Sequence, residues 1–495
     1  MEKKIIGGLS RTNAPKTAAD FRALLLKNDK SVSKNGAMSA RDRITSLFDE
    51  GTFTEIAAYT SRRMSEFDAE APDELESVIT GYGAVDGVLV YAFSQDFART
   101  KGSVSEAAAR KICFVYKLAM ENGCPVVGIF DSAGAYLPEG VRALAGYGKI
   151  MKAVSDASGI IPQIAVIPGV AEGASAVIAS MFDFVIVTDG AKVSVNPPFI
   201  VGGGKADDTA EAGIASYKAP DDAEAIGAAR LLISYIPSNN EDGTVENESS
   251  DDVNRLVDIS GYLNGENVKS LIGAFVDEGK YFEILADYAK SVSTGFASLN
   301  GFTCGIVACD HSENDGRLTS KAARKAAKFV SFCDAFGIPV ITIVDTEGYE
   351  VSGEEEKNPF SAEIGKLAGT YAGAKVPLIT LIAGKAYGSA FSVLGSKALG
   401  ADIVFALDSA KISSLNPKSA VALLWNSKIT KNTSRDELET MWNEKVANAF
   451  EAAKAGEIDD IIDSAEIRQR LASALLMLSG KTAYVPRKRH ANMPL

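Results

Sequence analysis

The sequence predicts an α/β protein built as two tandem domains related by internal duplication. Two observations carry this. The first is a long internal repeat: CPVVGIFDSAGAYLPEG, from Cys124, returns as IPVITIVDTEGYEVSGEE, from Ile338, with apolar runs, glycines and acidic residues in the same order. Within it IPQIAVIPGVAEGAS (161–175) becomes VPLITLIAGKAYGSA (376–390), and FDFVIVTDGAKVSVNP (182–197) becomes ADIVFALDSAKISSLNP (401–417). Asp131 thus matches Asp345, Gly169 matches Gly384 and Gly173 matches Gly388. A shorter echo, LFDEGTFTEI at 47–56, reappears as FVDEGKYFEI at 275–284. Offsets of roughly 214 to 228 residues are too long for a solenoid and indicate duplicated domains. The second observation is an alternation of short β-type runs with helical stretches, the pattern of buried strands covered by helices.

The elements follow in order. Residues 1 to about 50 form a helical arm, because Thr17–Leu26 and Ala40–Phe48 place apolar residues at helical spacing. GAVDGVLVYAFSQDF then alternates as strands do, with Gly87 at the turn. A helix from Val104 to Glu121 stops at Asn122-Gly123. VVGIF, the helical stretch Gly140–Ala157, IAVIPG, the helical stretch GASAVIASMF and FVIVT complete the first copy. SNNEDGTVENESSDD from Ser238, followed by VNRLVD, is dense in Asn, Asp, Glu and Ser. It reads as a solvated acidic linker. The expected division is therefore a first domain at 1–236 with its arm, a linker at 237–260, and a second domain at 261–495.

Composition narrows the function. A formal charge of −13 over 495 residues argues against non-specific nucleic-acid binding, which needs a basic surface. Five cysteines, an odd number scattered through apolar runs, fit buried core thiols in a reducing, cytoplasmic setting. The apolar stretch after MEKK is too short for a secretory signal. The most apolar region, 159–187, is broken by Pro162, Gln163, Pro168, Glu172 and Asp183, so it is not a membrane span. His311 and His490 are the two histidines, and nothing in the repeat brings them together for a metal site or a Ser-His-Asp triad. GGGK at Gly202–Lys205 lacks the remainder of a phosphate-binding loop, and the linker carboxylates do not have EF-hand spacing. Any catalysis must rest on backbone groups and a borrowed cofactor.

Two pairs of turns suit that task. At Glu172-Gly173-Ala174-Ser175 and Tyr387-Gly388-Ser389-Ala390 an apolar strand runs into small residues that open a helical stretch. Backbone N–H groups there are aligned with the positive end of a helix, and an oxyanion can approach closely. The same residues also suit plain helix–sheet packing. The loops Asp131-Ser132-Ala133-Gly134-Ala135-Tyr136 and Asp345-Thr346-Glu347-Gly348-Tyr349 follow strands, where α/β domains place binding loops, although Asp-Ser and Asp-Thr also cap turns. Lys101, Arg110 and Lys111 read as a solvated helix face, with phosphate contact as the alternative.

At these residues the chain resembles the carboxyltransferase subunits of biotin-dependent acyl-CoA carboxylases and decarboxylases, the propionyl-CoA carboxylase β and methylmalonyl-CoA decarboxylase α group. The blocks SARDRITSLFDEGTF, VITGYGAVDG, GSVSEAAARK, DSAGAYLPEGV, ASGIIPQI, KAYGSAF, LGADIVFA and the terminal RKRHANMPL occur in the group's order across nearly the whole chain. The resemblance implies two ClpP/crotonase-like domains, the first holding acyl-CoA and the second biotin, with the site formed between subunits. It implies that Gly173 and Ala174 donate to the thioester oxygen, and Ser389 and Ala390 to the biotin ureido oxygen. Ala133, Gly134, Ala135, Tyr136, Glu172, Gly348, Tyr387, Gly388 and Ser392 would line the substrates. In this scheme carboxybiotin releases carbon dioxide, the ureido anion takes the α-proton of the acyl-CoA, and the enolate captures the carbon dioxide. No metal is implied. Biotin would arrive on a carrier protein, with a biotin carboxylase or a membrane decarboxylase subunit as further partner, and the chain would form dimer-based oligomers, up to a hexamer, or assemble with a homologue. Peripheral contact with a membrane partner is compatible with the cytoplasmic expectation.

The cleft departs from the group's pattern. Glu172-Gly173-Ala174 stands where a Gly-Gly pair is usual, Tyr136 where an arginine is usual, and Glu347 where DVPGF has proline. Ser392 occupies a position linked in relatives to the choice of acyl group. These changes predict an altered acyl group or weakened catalysis on an intact scaffold. A catalytically degenerate structural subunit is the alternative from another class. A crotonase-type hydratase using Glu139 and Glu172 is a third, though it would need only one such domain.

Overall fold

A computed structural model describes residues 17–28, 37–62, 75–196, 200 and 202–482. The chain divides into two compact units at Asn240/Glu241.

In the first unit, strands β1 (Thr54–Glu55), β2 (Val78–Val85), β3 (Val88–Gln95), β4 (Val126–Ile129), β5 (Gln163–Ile167), β7 (Phe184–Thr188) and β9 (Tyr217–Ala219) lie in that order in one sheet, while β6 (Val170–Glu172) pairs with β8 (Lys192–Ser194). β1 to β3 are antiparallel and the rest run parallel. The second unit has the same order: β10 (Tyr281–Ile284), β11 (Val292–Leu299), β12 (Phe302–Cys309), β13 (Val340–Thr346), β14 (Leu378–Tyr387), β15 (Ile403–Leu407) and β17 (Asp460–Ile462), with β16 (Lys411–Ser413) on β14. The duplication read in the sequence is therefore also a duplication of topology.

Local chemistry explains the elements. Asp86-Gly87 (φ +49° and +82°) and Asn300-Gly301 (φ +52° and +83°) close equivalent hairpins, as turns with two left-handed residues require. Ser105 caps the helix Glu106–Asn122, which ends at left-handed Gly123; Thr319 caps its counterpart Ser320–Ala335. The first core lies where Ile112, Val115 and Tyr116 of that helix, with Tyr147, Ile150 and Val154 of the helix Val141–Ala157, meet the sheet residues Phe93, Val126 and Ala165. In the second unit Leu271, Phe275, Leu471 and Leu475 of the helices Val268–Phe275 and Ile467–Leu478 pack on Ile306, Ile341 and Ile379. Cys124, Cys304, Cys309 and Cys333 are buried and all five cysteines are free; burial pushes the Cys304 and Cys309 thiols up to about 12.

In each copy an arginine on a helix, Asp222–Tyr235 or Ile467–Leu478, holds the segment that precedes the first strand. Arg230 donates to Leu47 O at 2.7 Å and to Asp49 at 2.9 Å. Arg468, fully buried, donates to Phe275 O at 2.7 Å and to Asp277 at 2.6 Å. The acidic stretch expected as a solvated linker is exposed along most of its length, and it also makes fixed contacts with the second unit. Asp252 O and Asp251 O also accept from Arg468, and Val257 and Ile259 enter the second core. The Asp251 carboxylate holds Arg255 at 2.6 Å and lies 3.6 Å from Arg468, which composition alone does not reveal. The two described arm helices are Ala18–Asn28 and Ala40–Leu47; residues 1–16 and 29–36 of the predicted arm, and His490, lie outside the described residues. Among the described residues no helix is long and apolar enough to cross a membrane.

Candidate active site

Each unit builds the same floor. In the first, Asp131 is buried beneath Gly169, where a Cβ would overlap its carboxylate. Val170 N–H donates to Asp131 Oδ1 at 3.1 Å, and Arg43 Nη1 to Oδ2 at 2.7 Å. Arg43 also reaches Asp222 through Nε at 2.8 Å. Burial opposes the arginine's charge, but the two carboxylates outweigh it and its pKa lies above the ordinary value. In the second unit Asp345 lies beneath Gly384 in the same way. Lys385 N–H donates to Oδ1 at 2.8 Å and Tyr262 Oη to Oδ2 at 2.6 Å. His311 Nδ1 stands 3.0 Å from Oδ2 without the alignment of a hydrogen bond. Burial first, then the Asp345 charge, raises the Tyr262 phenol well above its usual range, so this hydroxyl stays a donor. The first unit thus neutralises its aspartate with a cation, whereas the second ties it with a phenol.

The loops above these floors are laid out identically. Ala133 N–H donates to Lys101 O and Glu347 N–H to Asp315 O. Gly134 N–H meets Ser132 Oγ at 3.2 Å and Gly348 N–H meets Thr346 Oγ1 at 3.0 Å. Gly134 O and Gly348 O accept from Val104 and Leu318, and Tyr136 and Glu350 donate back to the same residues. Neither Ala135 N–H nor Tyr349 N–H takes part in these exchanges. Both loops rest on three-residue left-handed turns, Thr100-Lys101-Gly102 and Asn314-Asp315-Gly316 (all φ between +45° and +63°). Gly102 and Gly316 there press on the carbonyls of Asp131 and Asp345, where a Cβ would collide.

At the strand-to-helix turns, Gly173 (φ +61°) precedes the helix Ala174–Ser180 and Gly388 (φ +66°) precedes the turn holding Ser389 and the short helix Ala390–Val393. Gly173 N–H donates to Ser194 O at 2.9 Å and Gly388 N–H to Ser413 O at 3.0 Å. This removes Gly173 from the expected set of oxyanion donors. Strand pairing of β6 with β8 and of β14 with β16 continues one residue further and consumes these N–H groups. The ladder of the first helix opens with Val177 N–H to Gly173 O, so the N–H groups of Ala174 and its two successors have no intrahelical acceptor. In the second, the first bonds are Phe391 N–H to Gly388 O and Ser392 N–H to Ser389 O, which leaves those of Ser389 and Ala390 ahead of the ladder.

The remaining residues fall as follows. Glu172 is half-buried at the end of β6, its N–H on Ser132 O. Tyr136 is buried with the Arg62 guanidinium 4.5 Å above its ring. Tyr387 is buried, its phenol pushed up to about 12 by burial and then by Glu347 and Asp345, and it donates to Asn443 Oδ1 at 3.3 Å. Tyr349 Oη donates to Ser389 O at 3.2 Å. Ser392 is exposed, with its carbonyl accepting from Ser396 Oγ. Glu139 Oε2 accepts from Glu106 N–H at 2.6 Å, as Glu355 does from Ser320 N–H, so this oxygen caps a helix, while Oε1 is buried without a hydrogen-bond partner among the described residues. Lys111 departs from its reading as a solvated residue: it is buried, with Nζ 2.5 Å from Val78 O, while Lys101 and Arg110 are exposed. Its counterpart Lys325 donates to Leu285 O and Tyr288 O, both at 2.8 Å. Arg43 and Arg62 were missed because their partners lie far along the chain; the repeat could not flag Arg43, whose role Tyr262 takes in the other copy.

Comparison with known proteins gives the family. The carboxyl transferase domain model matches residues 31–493. The carboxyltransferase subunit of propionyl-CoA carboxylase from Haloferax mediterranei is 36% identical over 484 residues, covering 93% of this chain and 94% of that protein. The methylmalonyl-CoA decarboxylase α subunit of Propionigenium modestum is 37% identical over 486 residues, with the same coverage. The crystal structure of transcarboxylase 12S, a hexamer with methylmalonyl-coenzyme A and methylmalonic acid bound, superposes with a TM-score of 0.90 at 32% identity, covering 96% of this chain and 97% of that one. The chain therefore belongs to the carboxyl transferase domain family, in the group of the biotin-dependent acyl-CoA carboxyltransferases.

Proposed function

We propose that the protein moves a carboxyl group between biotin borne on a separate carrier protein and the α-carbon of a short acyl-CoA of the propionyl or methylmalonyl kind. The observation that carries this is the paired arrangement of strand-end turns, one per unit, each presenting N–H groups ahead of a helical ladder above a buried aspartate. Methylmalonyl-CoA bound to transcarboxylase 12S supports the substrate class. We read both units as crotonase-like, with the boundary near 236–260.

The first unit would take the thioester. Ala174 N–H, with the neighbouring Ala135 N–H, would stabilise negative charge on the thioester oxygen as the α-carbon loses its proton, and preorganised donors of this kind need no reorganisation during reaction. Gly173 serves by its left-handed conformation, which turns the chain from β6 into the helix. Ala133, Gly134, Tyr136 and Glu172 would shape the pocket around the acyl chain. In the second unit, Ser389 and Ala390 N–H groups would hold the ureido oxygen of biotin, with Gly348, Tyr387, Gly388 and Ser392 around it. A polar cavity of about 620 Å³ beside Tyr387 fits such a group. Bound there, biotin supplies the transferable carboxyl group and the base at its ureido nitrogen, so the chain itself has to supply orientation and charge stabilisation.

The implied partners are the biotin carrier protein and a biotin carboxylase or membrane decarboxylase subunit, and we infer oligomeric assembly in line with the hexamer of transcarboxylase 12S. We place the protein in the cytoplasm. The test is incubation of the full chain with methylmalonyl-CoA or malonyl-CoA and free biotin, following the acyl-CoA product by mass spectrometry. Biotin-dependent decarboxylation is expected. A folded protein that binds CoA esters but shows no biotin-dependent turnover over a broad acyl-CoA panel would sink the transferase reading and favour a structural subunit.

A further inference from the structure

The duplication permits a comparison inside one chain. Val170 and Lys385 occupy one position, since the N–H of each donates to the buried aspartate of its unit. Ala133 and Glu347 occupy another, since each lies two residues after that aspartate and donates its N–H to the left-handed turn. The backbones agree and the side chains do not. The first unit has Ala133 and Val170 there, and the second has an ion pair, Lys385 Nζ to Glu347 Oε1 at 2.6 Å. An alanine and a valine sustain the same loop, so the fold does not need the pair. With the Lys385 side chain 48% exposed, the pair contributes little to stability and is cheap to break.

The pair also lines a cavity. Glu347 and Lys385 share the wall of the 620 Å³ space beside Tyr387 with Arg317, Lys418 and, from the helix Arg435–Lys445, Glu439 and Asn443. The Lys385 side chain is half-exposed while that of Glu347 is 18% exposed, and the cavity wall mixes Arg317 and Lys418 with Asp315 and Asp436; a cation in such a polar wall, paired with a single side-chain carboxylate, can exchange that partner for another anion.

We propose that Lys385 is an anion-binding residue of this cavity with Glu347 as its resting counter-ion. The carboxylate of an N-carboxylated cyclic urea takes the Lys385 ammonium and displaces Glu347, so the cavity distinguishes the loaded from the unloaded cofactor. This rests on the proposed assignment of biotin to the second unit, and it adds a specificity-determining pair to that assignment. The step is an exchange of ion pairs and no covalent bond changes.

The test is direct binding to the full chain of two probes, biotin methyl ester and its N-carboxylated form, both of which lack the free valerate carboxylate. Tryptophan fluorescence reports it, because the helix Arg435–Lys445 also carries Trp442, whose ring lies 5.1 Å from Trp425, and these are the chain's two tryptophans. The wild type is expected to bind the carboxylated probe about tenfold or more tightly than the plain ester, the scale of one charge-assisted contact. Lys385→Met should shrink that preference to within about twofold, Lys385→Arg should keep part of it, and Glu347→Gln should enlarge it. Circular dichroism checks that each variant is folded. An unchanged preference in Lys385→Met, or none in the wild type, overturns the proposal. Biotin-dependent turnover, measured in parallel, reports separately on the transferase: a preference that depends on Lys385 without turnover would keep the anion site and remove the transferase reading, and turnover without such a preference would do the reverse.

Discussion

Asp345 lies so close beneath Gly384 that a Cβ on the glycine would overlap its carboxylate. The carboxylate cannot retreat, because Lys385 N–H and Tyr262 Oη hold its two oxygens. Gly384→Ala must therefore push apart the loop and strand that carry Glu347 and Tyr387. We expect a loss of about 1–3 kcal/mol, the usual cost of overpacking, a melting temperature lower by a few degrees, and reduced turnover. Gly169→Ala should act alike over Asp131. Calorimetry on the two variants checks this; melting curves equal to wild type would mean that the floor can relax.

The two floors should respond differently to loss of their donors. Arg43 is a buried cation between Asp131 and Asp222, and removing one partner of such a group strands the others, at about 3–5 kcal/mol. Arg43→Met should be severe. The combination with Asp131→Asn and Asp222→Asn should recover a large part of the loss, because no buried charge is then left unpaired. Tyr262→Phe removes a neutral donor from a charged acceptor and should cost about 1.5–3 kcal/mol. Urea unfolding of the four proteins gives the order.

Much of this was legible in the sequence, and the pattern of what was not is physical. FVIVT is β7 residue for residue, and the repeat by itself pairs Asp131 with Asp345 and Gly169 with Gly384, because short strands and tight glycines are written locally. Commitments made across the chain are not. Whether Gly173 N–H is free depends on Ser194, the last residue of β8, whose carbonyl accepts it just beyond the Glu172–Ser194 pair. Whether Lys111 is solvated depends on Val78 O behind it, and the helical pattern from 106 to 122 looks the same either way. The Arg230 and Arg468 clamps were hidden for the same reason.

The buried lysines give a pH signature. Burial pulls Lys325 from the ordinary 10.5 down to about 8. Between those values the unfolded chain still holds the proton and the folded one has released it. Stability contributed by this residue therefore rises with pH across that window, by up to roughly 3 kcal/mol. Below pH 8 both states are protonated and the penalty of burying the charge is fully present. Lys325→Met abolishes the titration but leaves Leu285 O and Tyr288 O without their donor. The free-energy difference between wild type and variant should then grow from pH 7.5 to pH 10 in favour of wild type, within that roughly 3 kcal/mol limit. Buried tyrosines such as Tyr281, raised by burial, titrate alike in both proteins and cancel. A pH-independent difference would mean that the ammonium is solvated after all.

The donors themselves can be tested by deleting one N–H at a time, and the backbone decides where. Proline cannot replace Gly173, whose φ is +61°, because its ring fixes φ near −65°, so that variant would fail for reasons unrelated to catalysis. Ala174 is the first helical residue, where proline is well tolerated because no ladder bond is lost. Ala174→Pro should fold with a melting temperature near wild type and lose about a hundredfold in kcat, as expected for one oxyanion donor. Ser389 has φ −73° and also accepts proline; Ser389→Pro should lose turnover on a similar scale. The split between substrates separates the two, because Ala174→Pro should spare the apparent KM for biotin, while Ser389→Pro should spare that for the acyl-CoA. If Ala174→Pro turns over at the wild-type rate, the thioester oxygen is not held at this helix, and Ala135 N–H in the loop above Asp131 becomes the donor to examine.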